Sequence, residues 1–313
     1  MTATSPAADP SPLPAPAGRA WLGPLMVLTG GAALGFAPIG LRLGLDELGA
    51  QAIAFWRYLF AIPILFPLVL LAQRRLPARP NAAIILAGIF FTFDMALWHW
   101  ALTLTSVSNA TFIVNLGNAG VGLAAWLFLK ERPGMTWFWA AGLAILGAAA
   151  LSLGGPGLSG GALKGDLLAF IAAGFIAGYM LFSKLARRSL GGIEAMFWLS
   201  VVEAAVALPI VFIAGENLFP ASASGFLMPL LLTLIVQVAG QGLIITGLGS
   251  TNTAVAGILV LAQPVVAAAI AWHAFAEPLT AIQAAGAGVI LIAVWLSQQG
   301  KPRPGRSGLV TVT

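Results

Sequence analysis

Apolar residues run along this chain in blocks, each closed by a short stretch of Gly, Pro, Ser, Asn or charged residues. A bilayer core of about 30 Å needs roughly 20 apolar residues per helix. Ten segments reach that length, at 21–41, 50–72, 81–102, 107–129, 135–154, 164–183, 192–214, 226–248, 253–275 and 280–298. At Thr103–Ser106 and Gly249–Asn252 only small polar residues separate two runs. Each combined run is far too long for one span, so a hairpin is predicted at both places. The pattern predicts an all-α membrane protein of ten transmembrane helices. Residues 1–20, rich in Pro, Ala and Ser, cannot bury enough apolar surface to order themselves and read as a disordered tail; 299–313 form a second tail. Arg19 ahead of an apolar run also permits a signal peptide over 21–41, but that run is long enough to span, and the repeat described below requires it.

Composition excludes the main alternatives. With 59% apolar and 8% charged residues, no soluble core could hide this much apolar surface behind so little polar surface. The net charge of +5 does not indicate a nucleic-acid partner, because the bases sit in short clusters between apolar runs. The lack of cysteine rules out disulfides, thiolate metal sites and a Cys nucleophile, and His99 and His273 are too few for a histidine-rich metal site. No metal or cofactor is expected.

Lys and Arg remain on the cytoplasmic side during insertion. On alternate sides of the ten-span map, one face holds Arg19, Arg74, Arg75, Arg79, Lys130, Arg132, Lys184, Arg187, Arg188, Lys301, Arg303 and Arg306, and the other only Arg42 and Lys164. Both termini are therefore expected in the cytoplasm, and shifting the span count by one would scramble the split. Arg57 is the remaining base and lies inside a span.

The chain also matches itself. One displacement brings Phe55-Trp56 and Pro67 onto Phe197-Trp198 and Pro209; a second, four residues longer, brings Thr105, Trp126, Glu131 and Gly142 onto Thr251, Trp272, Glu277 and Gly288. Trp and Glu are uncommon inside apolar sequence, so their shared spacing carries the match. The repeats are 21–154 and 164–298. Five spans per repeat insert the halves with opposite orientation. Such inverted repeats give alternating access a physical basis, since one pattern can adopt two packings that exchange between halves.

The string Thr105-Ser106-Val107-Ser108-Asn109-Ala110, then Phe128-Leu129-Lys130-Glu131 and Gly142, with its copy Ser250-Thr251-Asn252-Thr253-Ala254, Gln263-Pro264, Glu277 and Gly288, resembles the EamA-type repeat of the drug/metabolite transporter superfamily. Within it the chain is most similar to the YddG-type amino-acid exporters. The resemblance implies a ten-helix carrier with a central cavity and cytoplasmic termini, commonly exporting amino acids or other metabolites. Asn118 stands where the second copy has Pro264, which leaves open whether helices four and nine bend alike.

Ionisable groups at membrane depth are costly, so each needs a partner or a purpose. Reflecting Arg57 through the turn after helix two lands within one turn of Asp94, which predicts an Arg57–Asp94 ion pair, either a staple of the hairpin or a gate. The same operation sets Glu203 opposite Gln237, as a proton site or as a satisfied interhelical hydrogen bond. His99, between Trp98 and Trp100, reads as a belt histidine or as part of the site. Asn115 with Asn118, Gln237 with Gln241, and Gln263 beside Pro264 all fall near mid-bilayer, as a substrate site or as interhelical glue. Pro264 removes a backbone donor and leaves the Val260 carbonyl free. Trp56, Trp98 and Trp126 lie deeper than the belt candidates Trp21, Trp137 and Trp139 and could line a cavity.

Neither a phosphate-binding Gly-x4-Gly-Lys-Ser/Thr string, a His-Glu-x2-His motif nor a Ser/His/Asp set is present. The expected function is secondary transport of a small-molecule substrate, amino acids above all, across a bacterial-type inner membrane. A carrier or channel for another small organic solute and, less favoured, an intramembrane enzyme are the alternatives. The expected partners are that solute and membrane lipid; the oligomeric state is left open, a monomer included.

Overall fold

A computed structural model describes residues 21–105, 107–153, 163–275 and 279–299. Residues 1–20 and 300–313 of the two predicted tails, and Glu277, lie outside the described residues. Among the described residues, eight helices are long and apolar enough to cross a membrane: α1 (Leu22–Gly44), α2 (Ala50–Gln73), α3 (Ala82–Leu104), α4 (Val107–Leu129), α6 (Leu163–Ala186), α7 (Gly192–Ile213), α8 (Ala223–Leu248) and α9 (Thr253–Phe275). Two shorter apolar helices, α5 (Met135–Leu153) and α10 (Ala281–Ser297), complete the bundle among the described residues. Each falls on a segment picked out by hydropathy.

Local chemistry sets the boundaries. Asn81 caps α3 by accepting the Ile84 N–H at 2.8 Å, and Asn252 caps α9 by accepting from the N–H groups of Ala254 and Val255. The polar stretch Gly249–Asn252 is thus a helix start after a stop, as the hairpin requires. Thr280 and Gln283 form a reciprocal capping box at α10. Arg74 and Lys130 adopt left-handed backbone angles at φ 52° and 58°, ending α2 and α4.

α4 is continuous, whereas α9 is broken into Thr253–Val260 and Ala262–Phe275 just ahead of Pro264. Helices four and nine therefore do not bend alike, and the Asn118/Pro264 difference is the reason. α8 carries a π-helical stretch, Thr233–Gln241, which holds both candidate glutamines.

Packing ties the repeats together. α3 lies on α6, α5 on α10, α2 on α7, and α1 on α8 and α9. Glycines permit the close approaches: a Cβ on Gly30 would fall 2.5 Å from the Gly240 carbonyl oxygen, and one on Gly31 would fall 3.1 Å from the Val260 backbone. Outward faces expose Leu71, Leu127, Ile213 and Leu291, which suits lipid and not water.

Two ends can be told apart by their bonds. At the basic end, Arg75 pairs with Glu194 at 3.3 Å, Lys184 Nζ donates to the carbonyls of Leu248 and Thr251, and Arg187 Nε donates to that of Ile245. Arg187 is held below the usual arginine range by burial, and Glu131 accepts from Thr253. At the opposite end Glu216 accepts the Ala52 N–H, Glu47 accepts from Ser222, and Asp166 accepts from Thr105. α1 begins beside Ser250 and Thr251 at the basic end, and α6 begins beside Thr105 at the other. The matched tryptophans make exchanged bonds. Trp56 Nε1 donates to Leu218 O in the connection after α7, and Trp198 Nε1 donates to Ala78 O in the connection after α2.

Candidate functional site

The helices position a buried polar cluster between α2, α3, α6, α7 and α8. Glu203 on α7 accepts the Gln237 Nε2–H at 2.5 Å and the Gln241 Nε2–H at 3.4 Å. Gln241 also donates to the Tyr179 hydroxyl at 3.1 Å, and Gln237 to Ser200 Oγ at 3.3 Å. Glu203 and Gln237 have no exposed surface and Gln241 has 1%. The expected Glu203–Gln237 contact is therefore made, and the π-helical geometry brings Gln241 to the same carboxyl.

Arg57 does not pair with Asp94. Its Nη2 donates to the Tyr58 hydroxyl at 3.0 Å, its guanidinium lies 4.8 Å from that ring, and it falls within electrostatic reach of Glu203 and His99. Asp94 is fully buried and neither of its oxygens has a partner. The reflection failed because it assumes that consecutive helices pack, whereas α2 lies mainly on α7 and α8, and α3 on α6 and α7.

His99 is buried inside the bundle at 8% exposure, with Nδ1 3.4 Å from Gln51 Oε1. Trp98 is half-buried, leans on His99, and packs in a separate small cluster with Ala101, Ala110 and Ala169. Asn118 donates to Asn115 at 3.4 Å, and no hydrogen bond joins this pair to the glutamine cluster among the described residues. Gln263 is half-buried at the α9 break. Of the expected layer, the structure thus gathers Gln237 and Gln241 at Glu203, pairs the two asparagines separately, and leaves Gln263 apart.

Sequence reasoning missed Tyr58, Tyr179, Gln51 and Thr233, whose hydroxyl donates to the Arg57 carbonyl. The chain has two tyrosines, and both are buried in this cluster. That scarcity, at mid-helix positions, was a usable signal. Trp137, expected in the interfacial belt, is 6% exposed and clamps α5 to α9 by donating to Ala254 O at 2.9 Å. Trp56 binds the connection after α7 rather than lining a cavity, and Trp126 is exposed.

The seam between α4 and α9 has two unlike halves. α4 packs on Thr253–Val260, with Gly257 against the Asn118 carbonyl and Ala254 and Trp137 against Gly122. Every residue from Ala256 to Ala262 is buried, and none from Gln263 to Phe275 is. That second half packs on α1, α5 and α10 instead. A groove of about 310 Å³ elsewhere, between α2, α7 and α8, is lined by Leu65, Met196, Val238 and Leu243 and touches none of the candidate residues.

A helical bundle that turns leucine, isoleucine and phenylalanine outward and gathers arginine, carboxyl, amide and tyrosine side chains inside is a multi-pass membrane protein. The chain belongs to the EamA-like transporter family, whose model matches residues 21–153 and again 163–298. It is accordingly a membrane transporter of small solutes. A crystal structure of 16% sequence identity superposes with a TM-score of 0.76, covering 88% of this chain and 97% of the other, which shows the shared fold. No curated protein matches the chain.

Proposed function

We propose that this protein is a secondary carrier that exports small metabolites, amino acids foremost, across a bacterial-type inner membrane by alternating access. Ten transmembrane helices form two inverted repeats around a central pathway, with both termini cytoplasmic. The eight bases from Arg74 to Arg188 at one end support that orientation. The exchanged Trp56 and Trp198 bonds, at opposite ends, support the inversion.

The observation that carries the reading is the contrast within α9. Its Thr253–Val260 half is sealed against α4 at the basic end, and its Ala262–Phe275 half is parted from α4 at the other. In the proposed cycle this is the outward-open state, with the cytoplasmic end closed by Glu131, Trp137, Lys184 and Arg187. Gln263 and Asn115 serve the solute from the parted side, with Asn118, Trp98 and His99 behind them. Gln237 and Gln241 join the site once the helices rock. The amino-acid class rests on the resemblance to the YddG-type exporters.

Counterflow in proteoliposomes tests this. Vesicles preloaded with an unlabelled amino-acid mixture are expected to accumulate the ¹⁴C-labelled mixture transiently. Uptake without stimulation from the far side marks a channel, and a chemically altered solute marks an enzyme; either result refutes the carrier.

A further inference from the structure

The two carboxyls deep in the bundle have opposite surroundings. Glu203 accepts two amide N–H groups and lies within reach of the Arg57 guanidinium. Asp94 has no such support. Both its oxygens are buried without a donor, and it has no ion pair among the described residues. The titratable groups within reach of it are Tyr58 from α2 and Tyr179 from α6; Arg57 on α2, Glu203 on α7 and His99 on its own helix belong to the same buried interior, and α4 and α8 add the amides of Asn115, Asn118, Gln237 and Gln241.

We propose that Asp94 is the proton-binding site through which this protein couples solute movement to a proton gradient, an inference that rests on the carrier reading. An ionised carboxylate in a lipid-embedded bundle, with neither counter-charge nor hydrogen-bond donor, is far costlier than the neutral acid. A bound proton removes that charge. Asp94 has zero accessible surface, so no particle as large as water touches it, and a proton needs no cavity.

The remaining groups supply the coupling. With Asp94 protonated, Glu203 is the one carboxyl within reach of the Arg57 guanidinium, and Arg57 Nε remains an unpartnered donor. When the Asp94 O–H bond breaks and the proton returns to water on one side, an unpaired carboxylate is left in the bundle, and Arg57 is the base inside a span that can answer it. The favoured packing is then one that draws Arg57 toward Asp94, which moves α2 relative to α3. Rebinding a proton from the other side releases it. The equilibrium between packings is thereby biased by a proton.

Infrared difference spectroscopy of the lipid-reconstituted full chain, between acidic and alkaline pH, reads the proton without any solute. The wild type is expected to show a protonated-carboxyl band that Asp94→Asn loses and Glu203→Gln keeps. No such band, or a band that survives Asp94→Asn, overturns the proposal. If Asp94→Asn does not fold, Asp94→Glu decides, because a glutamate carboxyl must shift the band; an unshifted band overturns it. In proteoliposomes, accumulation of the ¹⁴C-labelled amino-acid mixture under an imposed pH gradient is expected to exceed that without one in the wild type, and to lose this excess in Asp94→Asn. Wild-type exchange at equal pH on both sides reports the carrier reading separately. Exchange with no response to the gradient overturns the proton site and leaves the carrier standing.

Discussion

Removing the Glu131 side chain should loosen the basic end of the α4–α9 seam. Glu131 accepts the Thr253 N–H at 3.0 Å and the Thr253 hydroxyl at 3.3 Å, anchoring the first turn of α9 to the end of α4. A hydrogen bond to a charged group contributes about 1.5–3 kcal/mol, and the half-buried position of Glu131 places it at the low end, about 1.5 kcal/mol. Trp137 still holds the Ala254 carbonyl, so the seam weakens without being lost. A change of that size multiplies the minor, basic-end-open population about tenfold. The chain has no cysteine, so a single introduced thiol reports cleanly. Ala254 is 2% exposed, with its Cβ facing Gly122, and a thiol at that position reacts only when the seam parts. In inside-out vesicles, Ala254→Cys should react with a membrane-impermeant maleimide about ten times faster in the Glu131→Ala background than in its parent. Equal rates in the two backgrounds would refute the assignment of Glu131 as a latch.

Three further outcomes follow from the packing. Gly257→Ala drives a methyl group into the Asn118 carbonyl and should cost about 1–3 kcal/mol, read as a lower melting temperature in detergent; an unchanged melt would mean that α4 and α9 are not in contact there. Trp56→Phe and Trp198→Phe each delete one hydrogen bond to a loop carbonyl and should each cost about 1 kcal/mol, so a large difference between them would argue against equivalent roles in the two repeats. Gln237→Leu takes a donor from buried Glu203 and should lower stability by about 1–3 kcal/mol, whereas Gln263→Leu should melt like the wild type and reduce counterflow. The reverse pattern would exchange the structural and solute-facing roles.

The cluster around Glu203 shows where linear reasoning holds and where it stops. Reflection through a turn found Glu203 and Gln237 because α7 packs along the Gly242–Leu248 end of α8, so depth along one helix predicts depth along the next. The same operation misplaced Arg57 and Asp94 because α2 turns to α7 across the repeat boundary. Position alone assigns Trp21, Trp137 and Trp139 to one role, but Trp21 and Trp139 are exposed whereas the Trp137 indole N–H finds a carbonyl on α9 and is buried. Nothing in the spacing of the chain marks Tyr58 or Tyr179 as neighbours, since they come from different repeats and meet through Phe91.

What the sequence determined alone is the set of apolar helices, their limits, the clustering of bases between them and the doubling of the pattern. All but the doubling depend on residues close together in the chain: hydropathy over one span, a capping side chain a few residues from its target, a proline acting on its own turn. The tertiary structure alone decided which buried charge has a partner. Asp94 is left without a partner and Arg57 turns to its own neighbour Tyr58, because α2 and α3 each lie mainly on helices of the other repeat; Gln241 joins Gln237 at Glu203 through contacts within the second repeat. The same holds for the two halves of α9. Pro264 announces a break, but only the tertiary packing sets one side of it against α4 and the other against α1, α5 and α10.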